Sequence, residues 1–173
     1  MIVFGAGIEA WGLFQWGKVQ PRFGTTRIFT ETSATHFGLF QAGLFLLVVL
    51  VSALFLYAAA ENFHGRRSYL AMVTLMNYAC GPIILLNAAN AVPFINPFIP
   101  WGLGVILTAT ILYPGIPQVI KTLPVHAFGV YMCAIFIIML VSGLACVLSG
   151  MYLLGYFNTQ HSWLARQLQQ WLQ

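Results

Sequence analysis

The sequence predicts an all-α membrane protein, a polytopic bundle of transmembrane helices with amphipathic segments at both ends. Of its 173 residues, 60% are hydrophobic and only 6% are charged, whereas a soluble domain has roughly a quarter of its residues charged. The seven basic and three acidic residues all lie outside three long windows, residues 37–60, 68–120 and 122–165. A charge at the centre of a transmembrane helix costs about 2.5–3.5 kcal/mol, so lipid explains why these windows carry none.

The charge-free windows divide into four predicted spans. A span needs about 20 apolar residues to cross a hydrocarbon core of ~30 Å, and the windows hold one, two and one of these. The spans lie within a transmembrane domain over residues 36–157, and a fifth crossing is left open. The predicted spans are residues 37–60, 69–89, 98–118 and 126–149.

Prolines divide the apolar sequence. Pro82 should kink the second span, because proline removes a backbone donor from a helix. The chain is expected to reverse over the proline-rich residues 90–100, with Pro100 in the first turn of the third span, where the missing N–H costs nothing. Pro114 and Pro117 fall in the last turns of that span and are expected to terminate or bend it.

Both ends of the chain have the composition of interfacial segments. Residues 1–35 mix aromatic and basic side chains, which suits the headgroup layer, and a short interfacial helix is predicted over residues 2–16. Residues 158–173 place Trp163, Trp171 and several leucines at helical spacing between glutamines. This tail is predicted to be amphipathic and to lie at the interface or against a partner.

Small residues form a stripe near the end of the fourth span. Such stripes let the backbones of two membrane helices approach closely, so this face and the two tail tryptophans are the predicted partner-packing residues. They are Ser142, Gly143, Ala145, Cys146, Ser149, Gly150, Trp163 and Trp171.

The sequence offers little chemistry, and no enzyme is predicted. Its acids, Glu9, Glu31 and Glu61, form no close pair for general acid–base catalysis. No ionisable residue is expected inside the membrane, which disfavours proton- or ion-coupled transport. The basic residues are spread over loops and tails, where they suit anionic headgroups and predict no nucleic-acid partner.

Histidine offers one possible cofactor site. His64 and His126 lie in loops that face the same side in a four-span topology, so together they could ligate a haem or metal ion. Without further ligands a zinc site would be incomplete, and no cofactor is predicted.

From residue 60 to residue 148 the order of features resembles the Yip-domain family of Ypt/Rab-interacting membrane proteins, especially its bacterial inner-membrane branch. The resemblance rests on the segments HGRRSYLAMVTLMNYACGP, VPFINPFIPWGLGVIL and LYPGIPQVIKTLPVHAFGVY. The family-pattern residues are Tyr113, Gly115, Pro117, Lys121 and Pro124. The resemblance implies a compact helical module of a bacterial inner (cytoplasmic) membrane, without known catalysis. Eukaryotic relatives engage small GTPases through an N-terminal region that this chain lacks, so GTPase binding is not carried over.

The sequence therefore favours a non-enzymatic membrane scaffold or accessory subunit that packs, surrounded by lipid, against other integral membrane subunits. One alternative is a transporter or lipid-handling protein with a wide polar cavity lined by Asn77, Asn87, Asn90 and Asn96. A second alternative is a subunit of a redox or photosynthetic complex that bears a cofactor on His64 and His126.

Overall fold

In a computed structural model, the chain is described over residues 1–19, 26–27, 29–62, 68–92, 94–120 and 124–153. Helices dominate, and a two-residue antiparallel pair joins β1 (Lys18–Val19) to β2 (Thr26–Arg27). The helices are α1 (Ile2–Trp16), α2 (Glu31–Asn62), α3 (Tyr69–Ala79), α4 (Gly81–Asn87), α5 (Phe98–Ile120) and α6 (Pro124–Leu153), with a 3-10 turn (Ala88–Ala91) after α4.

Four helical segments are long and apolar enough to cross a membrane, which confirms the predicted all-α transmembrane bundle. Their bounds enclose the predicted spans and extend past most of the predicted ends. Helices continue beyond the apolar windows because backbone hydrogen bonding does not stop where the hydrocarbon core does. The protein is thus an integral membrane protein whose spanning segments are Glu31–Asn62, Tyr69–Ala91, Phe98–Ile120 and His126–Leu153.

Two expectations about proline are confirmed. The second span breaks at Cys80, where α3 ends and α4 begins with Pro82 in its first turn. Pro100 lies in the first turn of α5, and the backbone N–H of Phe98 donates to Asn96 Oδ1 at 3.0 Å. That side-chain acceptor satisfies a donor that the start of the helix would otherwise leave unpaired.

Of the two expected effects of Pro114 and Pro117, termination of the third span was wrong, and a bend stays a prediction. Helix α5 contains both prolines and continues to Ile120. Each proline removes only one backbone donor, and few hydrogen bonds remain to be made so near the end of the helix. Membrane helices also tolerate proline better than soluble ones.

Helix α1 has the bounds predicted for it, and it packs against α2, α4 and the 3-10 turn. It runs parallel to the second span, with Gly5 beside Ile84 and Gly12 beside Ala91. A Cβ atom on Gly12 would lie 2.8 Å from the Cα atom of Ala91, so only glycine permits this approach. With 15 residues, α1 is about 22 Å long, too short to cross a core of ~30 Å.

The buried apolar side chains form two clusters. The larger cluster fills the middle of the bundle between the four spans. The smaller cluster lies where α1, α2 and α6 meet, and contains Leu13, Phe29, Ala34 and Phe37, with Tyr152 and Leu153 packed against it. Between the two clusters lie most of the buried polar side chains of the described residues.

Candidate functional site

A layer of polar side chains separates the two apolar clusters. Its members come from α1, α2, α4, the 3-10 turn and α6, and each is between 2% and 7% exposed. We call these residues the polar layer: Glu9, Gln41, Asn87, Asn90 and Ser149.

The helical spacing places apolar side chains on both sides of the polar layer. The polar residues of α1, α2 and α6 are Glu9, Gln41 and Ser149. Four positions away from each of them along its helix lies a residue that is in the smaller cluster or packs against it. In the opposite direction along each helix, a residue three or four positions away belongs to, or packs on, the larger cluster. The layer is therefore covered by apolar side chains on both sides, as in Leu13–Glu9–Ala6, Phe37–Gln41–Phe45 and Leu153–Ser149–Ala145.

A small cavity of about 40 Å³ lies within this layer. Lys18, Pro97, Cys146, Gly150 and Leu153 complete its lining. A cavity must offer at least about 10–15 Å³ to hold a water molecule, so the space suits a molecule of that size and nothing as large as a metabolite.

Hydrogen bonds connect the polar side chains across helices. The Ser149 hydroxyl donates to Gln41 Oε1 at 2.7 Å, which joins α6 to α2. Asn90 Nδ2 donates to Asn87 Oδ1 at 2.8 Å, and Lys18 Nζ donates to the backbone carbonyl of Asn90 at 2.9 Å.

Lys18 reaches this site because the chain turns sharply after α1. Gly17 has a φ of 68°, in the left-handed region that glycine adopts without steric cost. Lys18 follows this turn, and its side chain reaches the backbone carbonyl of Asn90 at the end of the second span. Burial lowers the pKa of the Lys18 ammonium, and the nearby Glu9 carboxylate opposes this effect.

Glu9 is the least exposed member of the polar layer, at 2%. Burial raises the pKa of Glu9 from its ordinary 4.5 to about 8, because an ionised carboxylate loses its hydration there, while the charge of Lys18 and hydrogen bonding by Asn90 act in the opposite direction. Two buried acceptors, Glu9 Oε2 and Asn90 Oδ1, have no hydrogen-bond partner among the described residues.

The burial of Glu9 within the fold was not expected from the sequence. Glu9 was assigned to an interfacial segment because that segment mixes aromatic and basic side chains, which suit the headgroup layer. A signal was present in the spacing, since Gly5, Glu9 and Gly12 recur every three or four residues and share a helix face. Glycines on both sides of a carboxylate indicate that this face approaches another backbone closely.

The opposite side of α1 borders a groove of about 490 Å³ between α1 and α2, called here the α1–α2 groove. Its floor is formed by small residues, and its walls by exposed large apolar side chains, with Glu31 and Thr35 also in its lining. Gly7 contributes open space, since a Cβ atom there would have no neighbour within 4 Å. The small residues are Ala6, Gly7, Ala10, Ala34, Gly38 and Ala42, and the large ones are Val3, Trp11, Phe14 and Leu39.

Much of the predicted partner-packing stripe on α6 makes contacts within the chain. The Ser142 hydroxyl accepts a hydrogen bond from Trp101 Nε1 at 3.0 Å, Gly143 lies against the same indole, and Ser149 pairs with Gln41. The half-buried Ala145 packs against the larger cluster, and Cys146 and Gly150 line the polar cavity. Trp163 and Trp171 lie outside the described residues.

The four asparagines predicted to share a wide cavity do not do so. Asn77 is exposed on α3 and Asn96 is exposed at the start of α5. Only Asn87 and Asn90 come together, since they are three residues apart at the end of the second span. The cavity that they line is far smaller than expected.

The predicted histidine pair cannot be assembled from the described residues. His126 is half-buried in the first turn of α6, whereas His64 lies outside the described residues. Within the described part of the chain, no group of three or more His, Cys, Asp and Glu side chains is placed to hold a metal ion.

The family-pattern residues lie at helix contacts of α5 and at the start of α6. The ring of Tyr113 packs edge-on against Tyr131 with centroids 5.6 Å apart. A Cβ atom on Gly115 would lie 3.0 Å from Leu75 Cδ1 of α3. Pro117 is exposed, Pro124 begins α6, and Lys121 lies outside the described residues.

Comparison with protein-family models gives no match, and neither the curated proteins nor the solved structures yield one. The resemblance to the Yip-domain family therefore stays a prediction.

Proposed function

We propose that this protein is a non-enzymatic scaffold or accessory subunit of a bacterial inner (cytoplasmic) membrane, which binds a transmembrane helix of a partner subunit in the α1–α2 groove. A Yip-like module with this role would act through packing and not through catalysis. Other integral membrane proteins and the surrounding lipids are its proposed partners.

The observation that carries the proposal is the composition of the groove. Both helices present small residues to its floor, and Gly7 faces open space. Association of helices in lipid depends on close van der Waals contact between such small residues. The exposed walls, with Trp11 56% and Leu39 70% exposed, would gain apolar contacts from an inserted helix.

A lipid-handling function is the second candidate, and the same groove favours it. Its volume lies within the range of about 300–1,000 Å³ that is typical of small-molecule sites. Glu31 and Thr35 add exposed polar groups to an otherwise apolar lining. An acyl chain could occupy the apolar part, with its headgroup beside these two residues.

Replacing Gly7 with leucine tests the proposal. A Cβ atom at Gly7 would meet none of the described residues within 4 Å, and the leucine side chain would occupy groove space, so the variant should fold normally and lose its partner. The protein is purified from native membranes in mild detergent, and co-purifying proteins and phospholipids are quantified by mass spectrometry. Gly102→Leu is the matched control, since a Cβ atom at Gly102 on α5 also has no neighbour within 4 Å.

The outcomes separate the two functions. Loss of one stoichiometric membrane protein from Gly7→Leu, but not from Gly102→Leu, would support the scaffold. Loss of bound phospholipid alone would transfer the assignment to lipid handling. An unchanged set of proteins and lipids in both variants would refute a functional groove.

A further inference from the structure

The polar layer carries an inference that does not depend on the α1–α2 groove. Its central feature is a pair of buried acceptors, Glu9 Oε2 and Asn90 Oδ1, which accept no hydrogen bond from the described residues. A buried polar atom without a partner costs about 1–3 kcal/mol. Because these two side chains also interact with each other, a hydrogen donated by one of them would satisfy both.

From this geometry we infer that Glu9 and Asn90 form a proton-binding site, in which the protonated Glu9 carboxyl donates its hydrogen to Asn90 Oδ1. The proton comes from water and returns to water when Glu9 ionises, so no other reactant is needed. In the protonated state one hydrogen satisfies both orphaned acceptors, either directly or through one water molecule in the cavity. In the ionised state Glu9 Oε2 and Asn90 Oδ1 find no donor among the described residues, and the charge is held on a side chain that is only 2% exposed.

The groups around Glu9 favour a proton over a metal ion. Among the described residues, Lys18 is the charged group that acts on Glu9, and its ammonium already donates to the Asn90 carbonyl. Cys146 on α6 is the other titratable group in the cavity lining, while α2, α4 and the 3-10 turn contribute the neutral side chains of Gln41, Asn87 and Asn90. A resident ammonium beside a single carboxylate repels a further cation. The pKa of about 8 agrees with a carboxyl that stays protonated at neutral pH.

Infrared spectroscopy of the purified chain in lipid nanodiscs tests this site directly. A protonated carboxyl has a C=O stretching band that disappears on ionisation, and the chain has only three acidic side chains. We expect the wild type to show this band at pH 6 and to lose it with a midpoint near pH 8. Glu9→Gln, which keeps the shape of the side chain, should lack the titrating band.

The double variant Glu31→Gln/Glu61→Gln is the matched control. Because it keeps Glu9, it still tests the site if Glu9→Gln fails to fold. It leaves Glu9 as the only acidic side chain in the chain, so a band that persists in it and titrates near pH 8 supports the site. The absence of any carboxyl band above pH 6 in this variant would overturn the inference. A midpoint that falls when sodium replaces choline in the buffer would overturn it in favour of a metal-cation site.

Discussion

The polar layer and the middle of the bundle are both buried, yet their polar side chains differ in hydrogen bonding. In the middle, Ser52 and Thr108 are 0% and 1% exposed, and neither hydroxyl has a hydrogen-bond partner among the described residues. In the polar layer, side chains from different elements meet, and hydrogen bonds connect Ser149 to Gln41 and Asn90 to Asn87. Burial alone therefore does not tell which polar side chains connect elements of the fold, whereas their hydrogen-bond partners do.

Helix α1 accounts for much of this difference. It is too short to span the membrane, but it contributes Glu9 to the polar layer, and the turn at Gly17 is followed by Lys18, which lines the cavity. Both depend on the close contact of Gly5 and Gly12 with the second span. Moving α1 should therefore disturb the polar layer as a whole, whereas changing a single polar group should affect one interaction within it.

Gly12→Leu should have the largest effect. A Cβ atom at this position would meet backbone atoms of Ala91, with the Cα atom at 2.8 Å, and backbone cannot rotate away as a side chain can. Overpacking typically costs about 1–3 kcal/mol, and we expect the upper end of this range. Thermal denaturation of the detergent-solubilised protein should show a clearly lowered midpoint.

Gly7→Leu is the control within the same helix, because a Cβ atom there has open space around it. Its stability should stay within about 0.5 kcal/mol of the wild type, as for most surface substitutions. Equal losses of stability in the two variants would mean that α1 does not dock through its Gly5–Gly12 face.

The pH dependence of stability should show the next effect. The folded state binds the Glu9 proton more tightly than the unfolded state does, since the pKa rises from 4.5 to about 8. The stability that this gives is complete below pH 4.5 and is lost as the pH rises towards 8. By linkage, stability should fall by about 2 kcal/mol between pH 6 and pH 8, measured as a shift in the thermal midpoint.

Glu9→Gln should remove this dependence, because the amide does not titrate. The variant should match the wild type near pH 5 and exceed it at pH 8.5. A wild-type profile that is flat from pH 5 to pH 8, or one that the substitution leaves unchanged, would show that Glu9 keeps its ordinary proton affinity.

The spans were predictable from sequence because a single physical term, the cost of charge in lipid, dominates there. The end of the second helix at Pro82 and the start of α5 at Pro100 followed from the missing backbone donor of proline. Pro114 and Pro117 misled the prediction because local chemistry gives the cost of a lost hydrogen bond but not the gain from packing, and α5 packs on α3, α4 and α6.

The candidate site was less predictable because its parts are distant in sequence. Gln41 and Ser149 are 108 residues apart and Lys18 and Asn90 are 72 apart, so no local pattern links them. The stripe on α6 was visible, but small residues do not show whether the surface they approach is in the same chain. Ser142 and Ser149 pair within the chain, whereas a Cβ atom on Gly150 would meet none of the described residues within 4 Å.

Two serine substitutions should give the smallest effects, and effects that differ from each other. Ser149→Ala removes the donor to the buried Gln41 Oε1, which should cost about 0.6 kcal/mol, the average for such bonds between membrane helices, and at most about 1.7 kcal/mol. Ser52→Ala removes a buried hydroxyl that has no partner among the described residues, so stability should stay level or rise. Thermal midpoints of the two variants, measured in the same detergent, decide the matter. If the two substitutions lower stability by the same amount, then having a hydrogen-bond partner does not distinguish the polar layer from the middle of the bundle, and burial alone determines the contribution of both serines.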